Sequence, residues 1–314
     1  MEELRNAYNF PSNPSSPQKV YLSMSRLKNT LSRLLRRTRD SLQSTGIGDW
    51  PPVRAVYNKL IKNLKDTTPD TVFDILGHKM VLDKDDNLNL SVVGRHEKLI
   101  TELVQEVIKP GDTVVDIGAN IGYYTLIFAR SVGPTGHVYA FEPDPDNFAL
   151  LEKNIQLNGY TNITLERKAV SSTTGNLRLY IADNVGDHRA YDSGDNRPHI
   201  DIPATTLDDY LQGKPVRFIK MDIQGFEHTA LQGMQKTLAN NAPLKLITEF
   251  WPYGIHLAGS TARAYLDSLI AAGFQLNLLE GTQQTPHISL DALESKYDAS
   301  KDEWSGDLLC EKPG

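Results

Sequence analysis

Val115-Asp116-Ile117-Gly118-Ala119-Asn120-Ile121-Gly122 is the stretch on which the fold turns. It leaves Thr113 to Ile117, an apolar run of strand length, and enters Ile121 to Val132, where Tyr124, Ile127 and Phe128 share one helical face. Glycines at such a turn let a ligand approach the backbone, and the helix start presents N–H groups without intrahelical partners. Three residues stand between the two glycines, so the G-x-G-x-x-G fingerprint of dinucleotide binding is absent and no diphosphate cradle is indicated. Asp116 instead puts a carboxylate at the strand end, which suits a cationic, amine-bearing ligand.

Strands and helices alternate from this turn onward. His137 to Phe141 reads as a second strand. The next helix has Asp144 as its cap, Pro145 in its first turn and Asn158-Gly159 at its end. Further strands are expected at Asn162 to Glu166, Asn176 to Ala182, Val216 to Met221, Leu244 to Phe250, Phe274 to Leu279 and Leu308 to Glu311. Helices are expected at Glu227 to Ala239 and Thr261 to Ala272. This alternation predicts an α/β, doubly wound, largely parallel sheet with helices on both faces. Ligands bind such sheets beyond the carboxyl ends of the strands. Glu142 occupies that position on the second strand, 24 residues after Gly118, where a carboxylate can accept from both hydroxyls of a ribose. Asp116, the glycine turn and Glu142 together describe a nucleoside with a positively charged amino-acid tail. S-adenosylmethionine fits that description.

Upstream, Glu97 to Ile108 reads as a helix, Thr71 to Leu90 as short strands around a turn at Lys84 to Asn87, and Val53 to Leu64 as a short helix. Residues 19–42 carry Val20, Met24, Leu27, Leu31 and Leu34 at helical spacing among seven arginines and lysines, an amphipathic helix with a cationic face. It reads as a helix packed on the domain or on a second copy of the chain, or as a contact with an anionic membrane surface. Residues 1–93 are thus an N-terminal helical extension and cap, and 94–314 the main domain.

Composition narrows the function. A formal charge of −6 offers no general attraction for a polyanion, so nucleic acid is not an expected partner. The lone Cys310 cannot form an internal disulfide, which fits a cytoplasmic protein, peripheral at a membrane if the basic helix docks there. No run of apolar residues is long enough to span a bilayer. His96-Glu97 begins like a zinc-protease helix, but Ile100 stands where the second histidine is required, and no metal site is expected.

The chain resembles the FkbM-type methyltransferases, a class I S-adenosylmethionine-dependent family. The resemblance rests on Lys109-Pro110-Gly111-Asp112, on Val115 to Tyr124, on Phe141-Glu142-Pro143, on Thr206 to Tyr210, and on Ile219 to Glu227 (IKMDIQGFE). It implies a seven-stranded Rossmann-like sheet with an antiparallel last strand. It also implies that Asp116, Gly118, Asn120 and Gly122 form the turn against the methionine end, that Glu142 holds the ribose, and that Lys168 and Ala169 flank the adenine. Glu97 would reach the cofactor's amino group, and Asp222 would face the transferred methyl. The family pattern D-x-E-G-x-E is broken here by Gln224.

Methyl transfer needs an acceptor lone pair aligned with the sulfonium, and alignment supplies about 7–11 kcal/mol of barrier lowering. A base adds about 10²–10⁴-fold for a hydroxyl acceptor. Asp222, Glu249 and His228 are the catalytic candidates. Asn184, His188 and Arg189, in the polar loop 183–197, are the candidates for acceptor contact. The resemblance favours oxygen as the methylated atom, on a sugar, glycolipid or secondary metabolite. Two rival readings remain at this level: a non-catalytic cofactor-binding scaffold recruited through residues 19–42, and a nicotinamide-dependent oxidoreductase.

Overall fold

The computed structural model describes residues 56, 59–61, 64–65, 68–184 and 186–313. The basic segment 19–42 and the residues before it lie outside these. The described residues fall into two compact units. The smaller groups those up to Lys65 with Ser91–Gly94, where Ile61, Leu64, Val92 and Val93 form a small apolar cluster. The larger runs from Thr68 to Leu90 and from Arg95 onward.

In chain order the elements are β1 (Val72–Ile75), β2 (His78–Val81), α1 (Leu90–Val93), α2 (Lys98–Val107), β3 (Thr113–Ile117), α3 (Tyr123–Val132), β4 (His137–Phe141), α4 (Pro145–Asn158), β5 (Ile163–Glu166) and β6 (Ala169–Val170). There follow β7 (Gly175–Tyr180), β8 (His199–Thr205), α5 (Leu207–Leu211), β9 (Phe218–Met221), α6 (Glu227–Gln232), α7 (Gln235–Asn240) and β10 (Leu244–Phe250). The last are α8 (Pro252–Leu257), α9 (Ala262–Ala271), β11 (Gln275–Glu280), β12 (Gln283–Thr285), α10 (Leu290–Glu294) and β13 (Gly306–Lys312).

The central sheet has the order β12-β11-β13-β10-β9-β3-β4-β5. Its strands β10, β9, β3, β4 and β5 are parallel, and β13 is antiparallel to both β10 and β11. This is the Rossmann-like α/β sheet, with β12 as a short eighth strand on one edge. Neighbouring residues of each strand face opposite layers. Val115, Ile117, Ile219 and Met221 pack with Leu231, Tyr265 and Leu266 of α6 and α9. Val114, Phe218 and Val138 pack with Val104, Phe128 and Leu151 of α2, α3 and α4. Burial on both faces explains why these strands read as nearly continuous apolar runs.

Local signals set α4 as expected. The Asp144 side chain accepts from the Asp146 and Asn147 N–H groups, Pro145 fills the first turn, and Gly159 closes the helix at φ 68. Elsewhere the structure departs from the sequence reading. The first hairpin turns at Leu76-Gly77, not at 84–87: both residues have positive φ, and Asp74 Oδ1 accepts the Gly77 N–H at 3.0 Å. The helix expected over 227–239 is two helices, parted at Gly233 and Met234, and Gly233 packs so closely on another segment that a Cβ there would lie 1.9 Å from the Ser171 carbonyl oxygen. β6, β7 and β8 form their own three-stranded sheet.

Candidate active site

A cleft of about 340 Å³ opens beyond the carboxyl ends of β3, β4, β9 and β10. Its floor is the glycine turn. Gly118 and Ala119 donate their N–H groups to the Phe141 carbonyl at 3.0 and 2.9 Å, which ties β3 to β4. Gly118 sits at φ +84, and a Cβ there would lie 2.0 Å from the Asp222 carbonyl oxygen, so only glycine lets β3 and β9 end side by side. Gly122, at φ +95, packs on Leu151 instead and is not on the cleft wall.

Glu142 straps this turn from the β4 side. Its Oε2 accepts from the Asn120 N–H at 2.8 Å and its Oε1 from the Asp144 N–H at 2.9 Å. Each oxygen keeps a lone pair for a further donor. Burial pushes its pKa up to about 8 against the pull of those two N–H groups. Asp116 is also buried; Thr125 donates to its Oδ2 at 2.6 Å. Burial raises it to about 6, against the opposing effects of Lys220 and Thr125.

The opposite end of the cleft is acidic. Sheet register sets Asp116 beside Lys220 and Glu249 beside Asp307. Lys220 is buried, with Nζ 3.1 Å from Asp222 Oδ2 and 4.7 Å above the centre of the Tyr124 ring. Burial disfavours its charge, but Asp222, Glu97, Asp116 and Asp307 together hold its pKa above the usual lysine value. Gln224 Nε2 donates to Asp222 Oδ1 at 3.0 Å and to Glu249 Oε2 at 3.2 Å. Burial, then repulsion by Asp222, Glu227, Asp307 and Glu97, pushes Glu249 far above the carboxylate range. Glu97, the left-handed residue ahead of α2 at φ 39, accepts from the Tyr124 hydroxyl at 2.8 Å. Burial opposes its ionisation, yet His96, Lys220 and Tyr124 bring its pKa down to about 2. A second cavity, of about 240 Å³, shares Glu97, Asp222 and Glu249 with the cleft and adds Glu280 and Asp307.

The loop before β8 covers the other end. Ala182 N–H donates to His188 Nδ1 at 3.0 Å, so the ring proton is on Nε2, which points at Asp144 Oδ2 from 3.7 Å. Arg189 is buried; it binds Asp187 Oδ1 at 2.8 Å and lies 4.9 Å above the Trp251 ring.

The FkbM methyltransferase domain family matches residues 116–276, about half of the chain. The chain belongs to the FkbM methyltransferase family. That family uses S-adenosylmethionine. Among curated relatives, the hexuronic acid methyltransferase AglP of Haloferax volcanii is 30% identical over 150 residues, covering 46% of this chain and 59% of AglP. Methyltransferase 1 of Beauveria bassiana is 28% identical over 151 residues, covering 40% of this chain and 59% of its own length. The chain thus spans 59% of each of these two relatives. The 31-O-demethyl-FK506 methyltransferase FkbM of Streptomyces tacrolimicus is 49% identical over 72 residues, 23% of this chain and 27% of its own. A solved FkbM methyltransferase from Methylobacillus flagellatus is 19% identical, with 71% of this chain and 52% of that one covered and a TM-score of 0.41.

In this FkbM-family chain, the cleft wall gathers most of the candidates read from the sequence: Glu97, Asp116, Gly118, Asn120, Glu142, Lys168, Ala169, Asn184, His188, Asp222 and Glu249. Arg189 and His228 are not on it. His228, on α6, contacts Ser260 and Ser268 through its two ring nitrogens. Glu227 is fully buried and accepts the Ile223 N–H at 2.9 Å, fixing the turn after β9. Lys220 escaped the sequence reading. Its signal was a cation inside the apolar run Phe218 to Met221, a residue type that is almost never buried without a partner. Asp307 left no such mark, because only strand register brings it to Glu249.

Proposed function

We propose that this chain transfers a methyl group from S-adenosylmethionine to an oxygen of a saccharide, lipid-linked or other small-molecule acceptor. The observation that carries this reading is the pair of buried carboxylates, Asp116 and Glu142, on neighbouring strand ends around one glycine turn, with Asp222 at the next strand end. The residues fit the cofactor. Glu142 has lone pairs left for the ribose hydroxyls, and Asp116 Oδ1 is left for an ammonium group while Thr125 occupies Oδ2. Lys168 and Ala169 line the side where the adenine would lie. When bound, the cofactor supplies an electrophilic methyl on a sulfonium.

The chain's own part is orientation and proton transfer. Asp222 is the residue we assign as base; Lys220 and Gln224 donate to its two oxygens and hold it in place. His228 is assigned a structural role and Arg189 a loop-pinning one, since neither reaches the cleft. The names of two relatives, one for a hexuronic acid and one for a 31-O-demethyl compound, support an oxygen acceptor on a polyhydroxylated molecule. Incubation with isotopically labelled S-adenosylmethionine and a panel of saccharides and glycolipids tests it. The expected result is one labelled methyl per product, alkali-stable as an ether. Label found on nitrogen, or tight binding of a nicotinamide dinucleotide without S-adenosylhomocysteine binding, would overturn the proposal.

A further inference from the structure

Gln224 stands where the family pattern carries a glutamate. It lies at φ 56 in the turn beyond β9. The turn is held from two sides: the Tyr191 hydroxyl donates to the Gln224 carbonyl at 2.8 Å, and Gly225 packs so closely on Gly254 that a Cβ would lie 2.5 Å from its carbonyl carbon. The side chain is thereby aimed between two carboxyl groups, with Nε2 3.0 Å from Asp222 Oδ1 and 3.2 Å from Glu249 Oε2. A primary amide carries two N–H bonds on one nitrogen, so both contacts are made at once. A glutamate has no such donor. Three carboxyl groups would then meet, and they would have to share protons.

We infer that Gln224 is a positioning residue at the acceptor end, bridging Asp222, the group we assign as proton acceptor, to Glu249 and keeping a third carboxyl group out of the site. The inference rests on the methyltransferase reading and deepens it. Titratable groups face the pair from several elements: Lys220 on β9, Asp116 on β3, Glu97 ahead of α2, Glu227 on α6, Asp307 on β13 and Tyr191 in the loop before β8. The cation is committed to Asp222, 3.1 Å from its Oδ2. Burial and the carboxyl groups around Glu249 push its pKa well up, and Gln224 donates to its Oε2. In the transfer, the acceptor oxygen forms its bond to the methyl carbon, and the carbon–sulfur bond breaks with its electron pair left on sulfur. The hydroxyl proton passes to Asp222.

The test is calorimetric titration of the full chain with S-adenosylhomocysteine and with sinefungin, which places an amine at the methyl position. The ratio of the two affinities reads negative charge at that position and cancels what the ligands share. In the wild type the ratio favours sinefungin and stays within about threefold between about pH 6 and 8. In Gln224→Glu a shared proton titrates in that window, and the ratio climbs about tenfold with pH. Adding Glu249→Gln returns an amide to the bridge from the β10 side and flattens the ratio again. A flat ratio in Gln224→Glu, or a double variant that behaves like the single one, overturns the inference. A second measurement needs no folded Gln224 variant. The infrared band of a protonated carboxyl at neutral pH should be weaker in Glu249→Gln than in the wild type, and an unchanged band overturns the bridge alone. Failure of the wild type to bind either nucleoside overturns the methyltransferase reading, and the bridge with it.

Discussion

Acidification is expected to strip this chain of S-adenosylhomocysteine well before it unfolds, through Glu142. Burial holds the Glu142 pKa at about 8 in the ligand-free cleft. The group is then about half ionised at pH 8 and about one per cent ionised at pH 6. Ribose hydroxyls donate to a carboxylate, so binding selects the ionised form, lowers its pKa and releases a proton. Affinity therefore rises with pH up to about 8, and falls about 50-fold between about pH 8 and 6. Asp116, held at about 6, is about half ionised at the lower end and contributes about another twofold. The combined loss is about 100-fold, or about 2.7 kcal/mol. Calorimetry in two buffers of different ionisation enthalpy reads both the affinity and the proton released. Glu142→Gln should bind more weakly at pH near 8 and keep only the twofold slope due to Asp116. A wild-type affinity that is flat across this range, or a Glu142→Gln slope as steep as the wild type's, would refute the reasoning. The same shift has a consequence for the ligand-free fold. Folded Glu142 keeps a proton that the unfolded chain gives up above its ordinary value, so the contribution of this group to stability is fully present below that ordinary value and is lost as pH rises through about 8.

Gly118→Ala should destabilise the fold by about 3 kcal/mol or more, from positive φ and the clash with the Asp222 carbonyl together, and thermal denaturation measures it. Lys220→Met leaves Asp222 and its neighbours without their buried counter-charge; a loss of about 3–5 kcal/mol in urea titration is expected, larger at alkaline than at mildly acidic pH. Asp116→Asn keeps an acceptor for Thr125 but loses the charge proposed to face the cofactor's ammonium, so calorimetry should show about tenfold weaker S-adenosylhomocysteine binding with little change in melting temperature. Asp222→Asn should bind S-adenosylhomocysteine and fail to turn over once an acceptor is in hand; methyl transfer at the wild-type rate would remove its role as base.

Much of the fold was legible because its signals are local. The α4 cap needs only Asp144, Pro145 and Gly159 in their places, and the β3 turn needs only a short apolar run ending in Asp116 and two glycines. Helix breaks were less legible. Residues 227–239 carry no proline, and the close approach of Gly233, where the helices part, to the Ser171 backbone is a long-range contact that the local sequence does not show. The hairpin turn was misplaced because Asp83 to Asn87 has turn composition too, while Leu76-Gly77 is stabilised by one contact from Asp74.

The sequence by itself determined the strand-turn-helix units, the carboxylates at their ends and the family, because strand period, capping and glycine conformation act over a few residues. Tertiary structure alone decided the electrostatics of the acidic end of the cleft. Lys220, Asp222, Gln224, Glu249 and Asp307 come from three strands and a turn, and Glu249 meets Asp307 across 58 positions of chain only through the antiparallel register of β10 and β13. Burial then sets which of these groups carries a proton, and burial is a property of the packed sheet rather than of any one segment.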